Sequence, residues 1–138
     1  MQHAFAIETA GPGLYEFTGA VAGWLAGKGD GLATLFVRHT SCSLLIQENA
    51  DPDVQADLQA FLRRLVPPAD DPAMRYLTHR AEGPDDMPAH IRAALLPVSL
   101  SIPVAAGRMQ LGTWQGIYLV EHRARPHRRQ VAAHFAAG

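Results

Sequence analysis

The chain has one cysteine, Cys42, so an internal disulfide and a multi-cysteine metal site are both excluded. It lacks an excess of charge of either sign. Twelve Lys and Arg stand against thirteen Asp and Glu, a balance that offers no field for nucleic acid or an anionic membrane surface. No apolar run approaches the roughly 18 residues of a membrane span. The first residues, MQHAFAIETAG, show no basic segment followed by an apolar one. The expectation is therefore a cytoplasmic protein that meets neither nucleic acid nor membrane. Charged residues are scarce at 18%, while apolar ones reach 48%, a slight excess that points to surface buried between subunits. A length of 138 residues predicts one domain spanning the whole chain, 1–138.

Ala4 to Glu8 and Leu14 to Thr18 read as short strands around Gly11-Pro12-Gly13, an opening hairpin. Thr18 is placed to cap a first helix, with Val21, Ala22, Trp24 and Leu25 at helical spacing before Gly27 and Gly29. Leu32 to Arg38 is nearly all apolar and β-rich, the pattern of a central strand buried on both faces. Ser43 to Gln47 predicts a further strand. Asp51-Pro52 then opens a second helix with Val54, Leu58, Phe61, Leu62 and Leu65 on one face. A third helix opens after Asp86, and β-patterned stretches cover Val98 to Pro103, Met109 to His122 and His127 to Phe135. About seven strands and three helices give an α+β domain, mainly antiparallel. Trp24, Leu35, Val37, Leu58, Phe61, Leu62, Ile91 and Leu95 form the expected core.

The stretch HRAEGPDDMPAH, His79 to His90, places two histidines, Glu82, Asp85 and Asp86 around a Gly83-Pro84 turn. Asp86 is suited to N-cap the third helix, and Pro88 is tolerated in its first turn. Two readings stand for this stretch: a set of ligands and bases on short scaffolding, or a capped, solvated connection. His39-Thr40-Ser41-Cys42 leaves the Leu32 to Arg38 strand with hydroxyls and backbone N–H groups able to hold an anion. Cys42 beside an apolar strand is read as a small buried residue, not a nucleophile. Glu48 and Asn49 add polarity beyond the cap that Asp51 supplies. Glu121 and His122 end a strand, where alternation sends their side chains to opposite faces. Arg128-Arg129 follows as a compact basic corner able to grip phosphate, or as a solvated turn.

His39, His79, His90 and His122 each fall at the end of an expected element. Three of them converging would make a His₃ site with one open position, suited to zinc. The set expected is His79, His90 and His122, with His39 as substitute and nearby carboxylates orienting the rings. Asp85 and Asp86 offer oxygens for Mg²⁺ as the other divalent ion.

The segments HTSCSLLIQENADPDVQADL, HRAEGPDDMPAHIRAAL and GRMQLGTWQGIYLVEHR, followed by PHRR, resemble the YjbQ family, also described as secondary thiamine-phosphate synthases. The resemblance implies an α+β fold of β-sandwich character and a homotrimer joined through its sheets. It further implies a site lined by His39, Glu48, Asn49, His79, Glu82, Asp85, Asp86, His90, Trp114, Gln115 and His122. Three functions follow. One is a transferase that joins a pyrimidine pyrophosphate to a thiazole phosphate, with Arg128, Arg129, Thr40 and Ser41 on phosphate. Another is a metal-dependent hydrolase with Glu82 as base. The third is a trimeric, non-catalytic module that binds a phosphorylated metabolite or a metal.

Overall fold

The computed structural model describes all residues 1–138. Eight strands run in chain order: β1 Gln2–Thr9, β2 Gly13–Glu16, β3 Gly31–Val37, β4 Cys42–Glu48, β5 Ser99–Ala105, β6 Arg108–Met109, β7 Gln115–Glu121 and β8 His127–Ala137. Three α-helices, α1 Thr18–Leu25, α2 Pro52–Leu65 and α3 Asp86–Leu95, complete the fold with a 3₁₀ turn at Pro72–Met74. One sheet has the order β1-β8-β3-β5-β6 and the other β2-β7-β4, and all pairings are antiparallel. The expected class, a single α+β domain of mainly antiparallel strands, is the class observed.

The alternating apolar residues of both sheets face each other. Leu35, Val37, Leu44, Ile117, Leu119, Val131 and Phe135 meet there with Val21 and Leu25 of α1, forming one continuous core. The opening hairpin does not form. β1 pairs with β8, from Gln2 against His134 to Thr9 against His127, whereas β2 pairs with β7 in the other sheet. The Gly11-Pro12-Gly13 turn therefore carries the chain from one sheet to the other. β3 is central, as expected, but only Ala33, Leu35 and Val37 are buried. Leu32 and Phe36 face outward, so the strand is apolar on both sides and covered on one.

Thr18 is the first residue of α1 and not its cap. Its hydroxyl donates to Glu16 Oε2 and accepts from the Ile117 N–H. Asp51 does cap α2, accepting from the Asp53 N–H at 2.9 Å. The core expectation fails along α2 and α3, where Phe61 and Leu95 are both 60% exposed and Leu58, Leu62 and Ile91 are half-buried, as is Trp24 on α1. Truncating Phe61 to alanine is therefore expected to change the stability of an isolated chain by no more than ~0.5 kcal/mol in denaturant unfolding. A loss of several kcal/mol would mean that this face is covered.

Candidate functional site

The site forms where β4 begins, β7 ends and α3 starts. The connection from α2 to α3 is drawn over this end by Arg80. Its guanidinium donates to the carbonyls of Leu77, Ala69, Met74 and Arg75 at 3.0–3.3 Å. Gly83, at φ +98°, makes the turn that a side chain would strain. The loop then delivers Asp85 and Asp86 to the N-terminus of α3, where the helix dipole favours a carboxylate.

Asp86 is 2% exposed and serves as the hub. Its Oδ2 lies 2.7 Å from His79 Nε2 and 3.1 Å from His90 Nε2, and its Oδ1 forms an ion pair with Arg123 Nη1 at 2.8 Å. Asp86 and His90 meet because they stand four apart on one helix face. Glu82 Oε2 approaches His79 Nε2 at 3.3 Å. One ligating atom from each of His79, Glu82, Asp86 and His90 fits within a mutual spread of 4.8 Å. Burial alone would raise the Asp86 pKa; the hydrogen bond from His79, the contact with Glu82 and the charges of His90 and Arg123 outweigh it and hold the group below its ordinary value. The same hydrogen bond raises His79, against a smaller opposing effect of desolvation.

His90 is locked in one tautomer. Its Nδ1 lies 2.8 Å from the Thr40 carbonyl oxygen, which can only accept, so Nδ1 carries the hydrogen. The neutral ring then turns the Nε2 lone pair toward the Asp86 carboxylate. That contact is repulsive until a cation, either a proton or a metal ion, stands between them.

Asp86 is not the N-cap of α3, as the sequence suggests, but its first helical residue. Asp85 takes the cap position without capping, because its Oδ2 accepts instead from Arg123 Nε at 2.8 Å and the Ala124 N–H at 2.9 Å. Burial opposes these bonds, and they still hold the Asp85 pKa below its ordinary value. Arg123 thus bridges the two aspartates, which do not form an open oxygen pair for Mg²⁺. Sequence reasoning overlooked Arg123: it stands 38 positions from Asp85, and no local spacing connects them.

His122 is the main correction. It is 2% exposed inside the fold, with Nε2 2.9 Å from Ser43 Oγ, and does not join His79 and His90. Desolvation, followed by the nearby Arg92 charge, pushes its pKa down to about 4. The folded state therefore excludes a proton that the unfolded chain takes up near pH 6.5. Stability should fall as pH drops from about 6.5 toward 4, by about 3 kcal/mol at ~1.4 kcal/mol per pH unit. His79 contributes in the opposite sense, but it is solvent-exposed and its effect is the smaller. Urea unfolding midpoints measured between about pH 7 and pH 4.5 check this, and a flat profile contradicts it.

Arg128 and Arg129 do not form a phosphate grip. They lie within β8, so their side chains diverge: Arg128 is exposed beside Glu8, while Arg129 is buried against Glu121 and Ser41. Ser41 spends its hydroxyl and carbonyl on Arg129, and Thr40 spends its carbonyl on His90. Glu48, Asn49, Trp114 and Gln115 gather at the opposite end of the smaller sheet. There Glu48 pairs with Gln115, six positions along from the Cys42–Glu121 pair, or about 20 Å at ~3.3 Å per residue. Glu48 accepts from the Ala50 and Asp51 N–H groups, Asn49 donates to Glu16, Gln115 accepts from the Gly112 N–H, and Trp114 is exposed. His39 remains near the hub. With Thr40, His90, Ala93, Ala94 and Val98 it lines a cleft of about 270 Å³. Cys42 is wholly buried, and desolvation raises its thiol to about 12, which suits a packing residue.

Comparison with known proteins agrees with this architecture. The family model described as UPF0047 protein YjbQ-like matches residues 3–138. The UPF0047 protein sll1880 of Synechocystis is 51% identical over 135 residues, covering 96% of this chain and 89% of that protein. The UPF0047 protein YjbQ of Salmonella typhimurium is 48% identical over 103 residues, covering 75% of this chain and 71% of its own. A crystal structure of hypothetical protein APE1520 from Aeropyrum pernix superposes with a TM-score of 0.86 at 28% identity, covering 100% of this chain and 99% of the other. A yjbq/upf0047 family protein from Clostridium acetobutylicum gives 0.84 at 31%, with coverage of 97% and 99%. The agreement of sequence over nearly the full length with the same two-sheet fold makes the chain a member of the YjbQ/UPF0047 family.

Proposed function

We propose that the chain is a metal-dependent hydrolase acting on a small acidic or phosphorylated metabolite, with one divalent ion held by His79 Nε2, His90 Nε2 and Asp86 Oδ2. The observation that carries this reading is the His90 tautomer. The Thr40 carbonyl fixes the hydrogen on Nδ1, so the Nε2 lone pair is presented to a buried carboxylate. Two imidazoles and a carboxylate are a donor set suited to zinc more than to magnesium. A bound ion would supply a Lewis acid and lower the pKa of water toward neutrality.

The residues of the chain supply the rest. Arg123 fixes Asp86 from the side away from the histidines, so Oδ2 stays aimed at them. The Thr40 carbonyl holds the His90 ring in orientation. Glu82, 62% exposed at its side chain and next to His79, is free to take a proton from water at the mouth of the site. The Glu82→Gln variant is expected to keep metal content within about twofold while turnover falls by ~10²–10⁴. Elemental analysis and a screen of phosphate monoesters and carboxylic esters test the reading together. A wild-type protein that takes up no zinc overturns it.

The transferase reading, which joins a pyrimidine pyrophosphate to a thiazole phosphate, has less support. It needs Arg128 and Arg129 together on phosphate and room for two substrates, whereas the arginines diverge and the cleft measures about 270 Å³. The homotrimer expected from the family resemblance stays part of the proposal. Phe61, Leu65 and Leu95 leave apolar surface that self-association would cover. Light scattering should give the mass of three chains at micromolar concentration, and a monomer would remove the trimer from the proposal.

A further inference from the structure

The face of α3 that carries the hub continues past it. Asp86 and His90 stand four residues apart, and Ala93 and Ala94 follow His90 by three and four, so all four share one side of the helix. The alanines therefore lie one turn, or ~5.4 Å, beyond His90. Their small side chains leave open the cleft of about 270 Å³, whose other walls are His39, Thr40 and Val98. No Asp, Glu, Lys or Arg lines it. Desolvation, followed by the Arg129 charge, lowers the His39 pKa, which keeps that wall neutral as well. Ala94 and Val98 are exposed, so the cleft is open to solvent. Its position relative to the hub is defined too. Glu82 adjoins His79 at 3.3 Å, the cleft adjoins His90, and the two imidazoles stand between with ring centres 5.9 Å apart. The water that Glu82 would deprotonate and the contents of the cleft thus fall on opposite sides of the hub.

We infer that the cleft holds the leaving group, and that the substrate is a phosphate monoester of a short, uncharged aliphatic alcohol. This rests on the hydrolase reading of the hub and names its substrate class. Displacement at phosphorus sets the attacking and leaving oxygens roughly in line, which is the arrangement of Glu82 and the cleft about the hub. The oxygen of water bonds to phosphorus as the bond to the alcohol oxygen breaks. Glu82 holds the proton from water, the leaving oxygen takes one from solvent, and ester plus water gives phosphate and alcohol. At ~30 Å³ for a water-sized group the cleft has room for about nine, so a hexyl chain is taken in and a dodecyl chain projects from it. An alcohol bearing an ammonium or carboxylate group would lose hydration there and find no counter-charge on the walls.

The test has two arms, both on the full-length chain. With zinc-loaded protein, kcat/KM for ethyl, propyl, butyl and hexyl phosphate should rise about two- to fourfold per methylene. Ethanolamine phosphate should fall below propyl phosphate, its uncharged counterpart. The Ala94→Phe variant fills the cleft from an exposed position; its zinc content should stay native while the rise with chain length disappears. If that variant does not fold, the series on the native chain decides alone. The second arm needs no metal. With alanine methyls ¹³C-labelled, 1-butanol and 1-hexanol should saturably shift Ala93 and Ala94, with a Kd that falls per methylene in the same ratio. If no ester turns over, the hydrolase reading fails, and the second arm alone decides whether the cleft takes an alkyl group. A kcat/KM independent of chain length, the same rise in Ala94→Phe, or alcohol shifts that do not saturate at Ala93 and Ala94 would each overturn the inference. So would a carboxylate ester whose rate follows its acyl chain and not its alcohol.

Discussion

Glu121→Ala is expected to destabilise the fold by about 3–5 kcal/mol, the cost of removing one partner from a buried ion pair. The Glu121 side chain is fully buried and no lone pair is idle. It accepts from Thr9 Oγ1 at 2.7 Å, from both Arg129 Nε and Nη2, and from the His122 and Arg123 N–H groups at 3.1 Å. Burial alone would raise its pKa. The bond from Arg129, then those from Thr9 and the Arg123 N–H, reverse this and leave it lowered. A carboxyl depressed in the folded state contributes stability above its ordinary range and loses it as pH falls through the folded value. This adds to the acid sensitivity set by His122, at lower pH. Alanine at this position would leave a guanidinium enclosed with only Ser41 to accept from it. Denaturant titration checks the figure, and a loss below about 1 kcal/mol would show that Arg129 escapes to solvent. Metal content should not change, because Glu121 is not among the proposed ligands.

Asp86→Ala is expected to weaken zinc binding by well over about 100-fold, beyond the cost usual for losing an outer-shell partner. The variant removes the oxygen that both imidazoles face and leaves His79 and His90 without a common partner. Its neighbour makes the control. The Asp85 carboxylate holds only Arg123 and the Ala124 N–H, so Asp85→Ala should stay within about tenfold. Competition with a chromophoric chelator measures both. Equal losses in the two variants would mean that the affinity comes from the shape of the loop and not from the Asp86 oxygen.

The contrast between these neighbours shows where reading the sequence stops. The His79–His90 stretch was legible, because Gly83-Pro84 marks the turn and a four-residue spacing fixes Asp86 and His90 on one face. The role of Asp86 was not, because an aspartate that opens a helix looks the same whether it caps or ligates. Alternation was expected to separate Glu121 from His122, and their side chains do meet different partners, Arg129 and Thr9 for one and Ser43 for the other. Both are nonetheless buried, since β7 is covered on both faces. Arg128 and Arg129 were misread for the opposite reason. A strand from His127 was already expected, and its alternation parts the two side chains, so reading them as one corner set the local charge above the strand pattern. The missing hairpin reflects a limit of range: nothing near β1 indicates that its partner lies more than a hundred residues away. Phe61 and Leu65 follow the apolar period of a core helix, and that period is the same whether the face meets its own chain or another copy.

X-ray absorption at the zinc edge of the loaded protein tests the central claim most directly, since it counts ligand types without requiring turnover. The account predicts two imidazoles, from His79 and His90, with the remaining ligands all oxygen, and loss of one imidazole in His90→Ala. A first shell of three imidazoles, or an unchanged spectrum in His90→Ala, would contradict it.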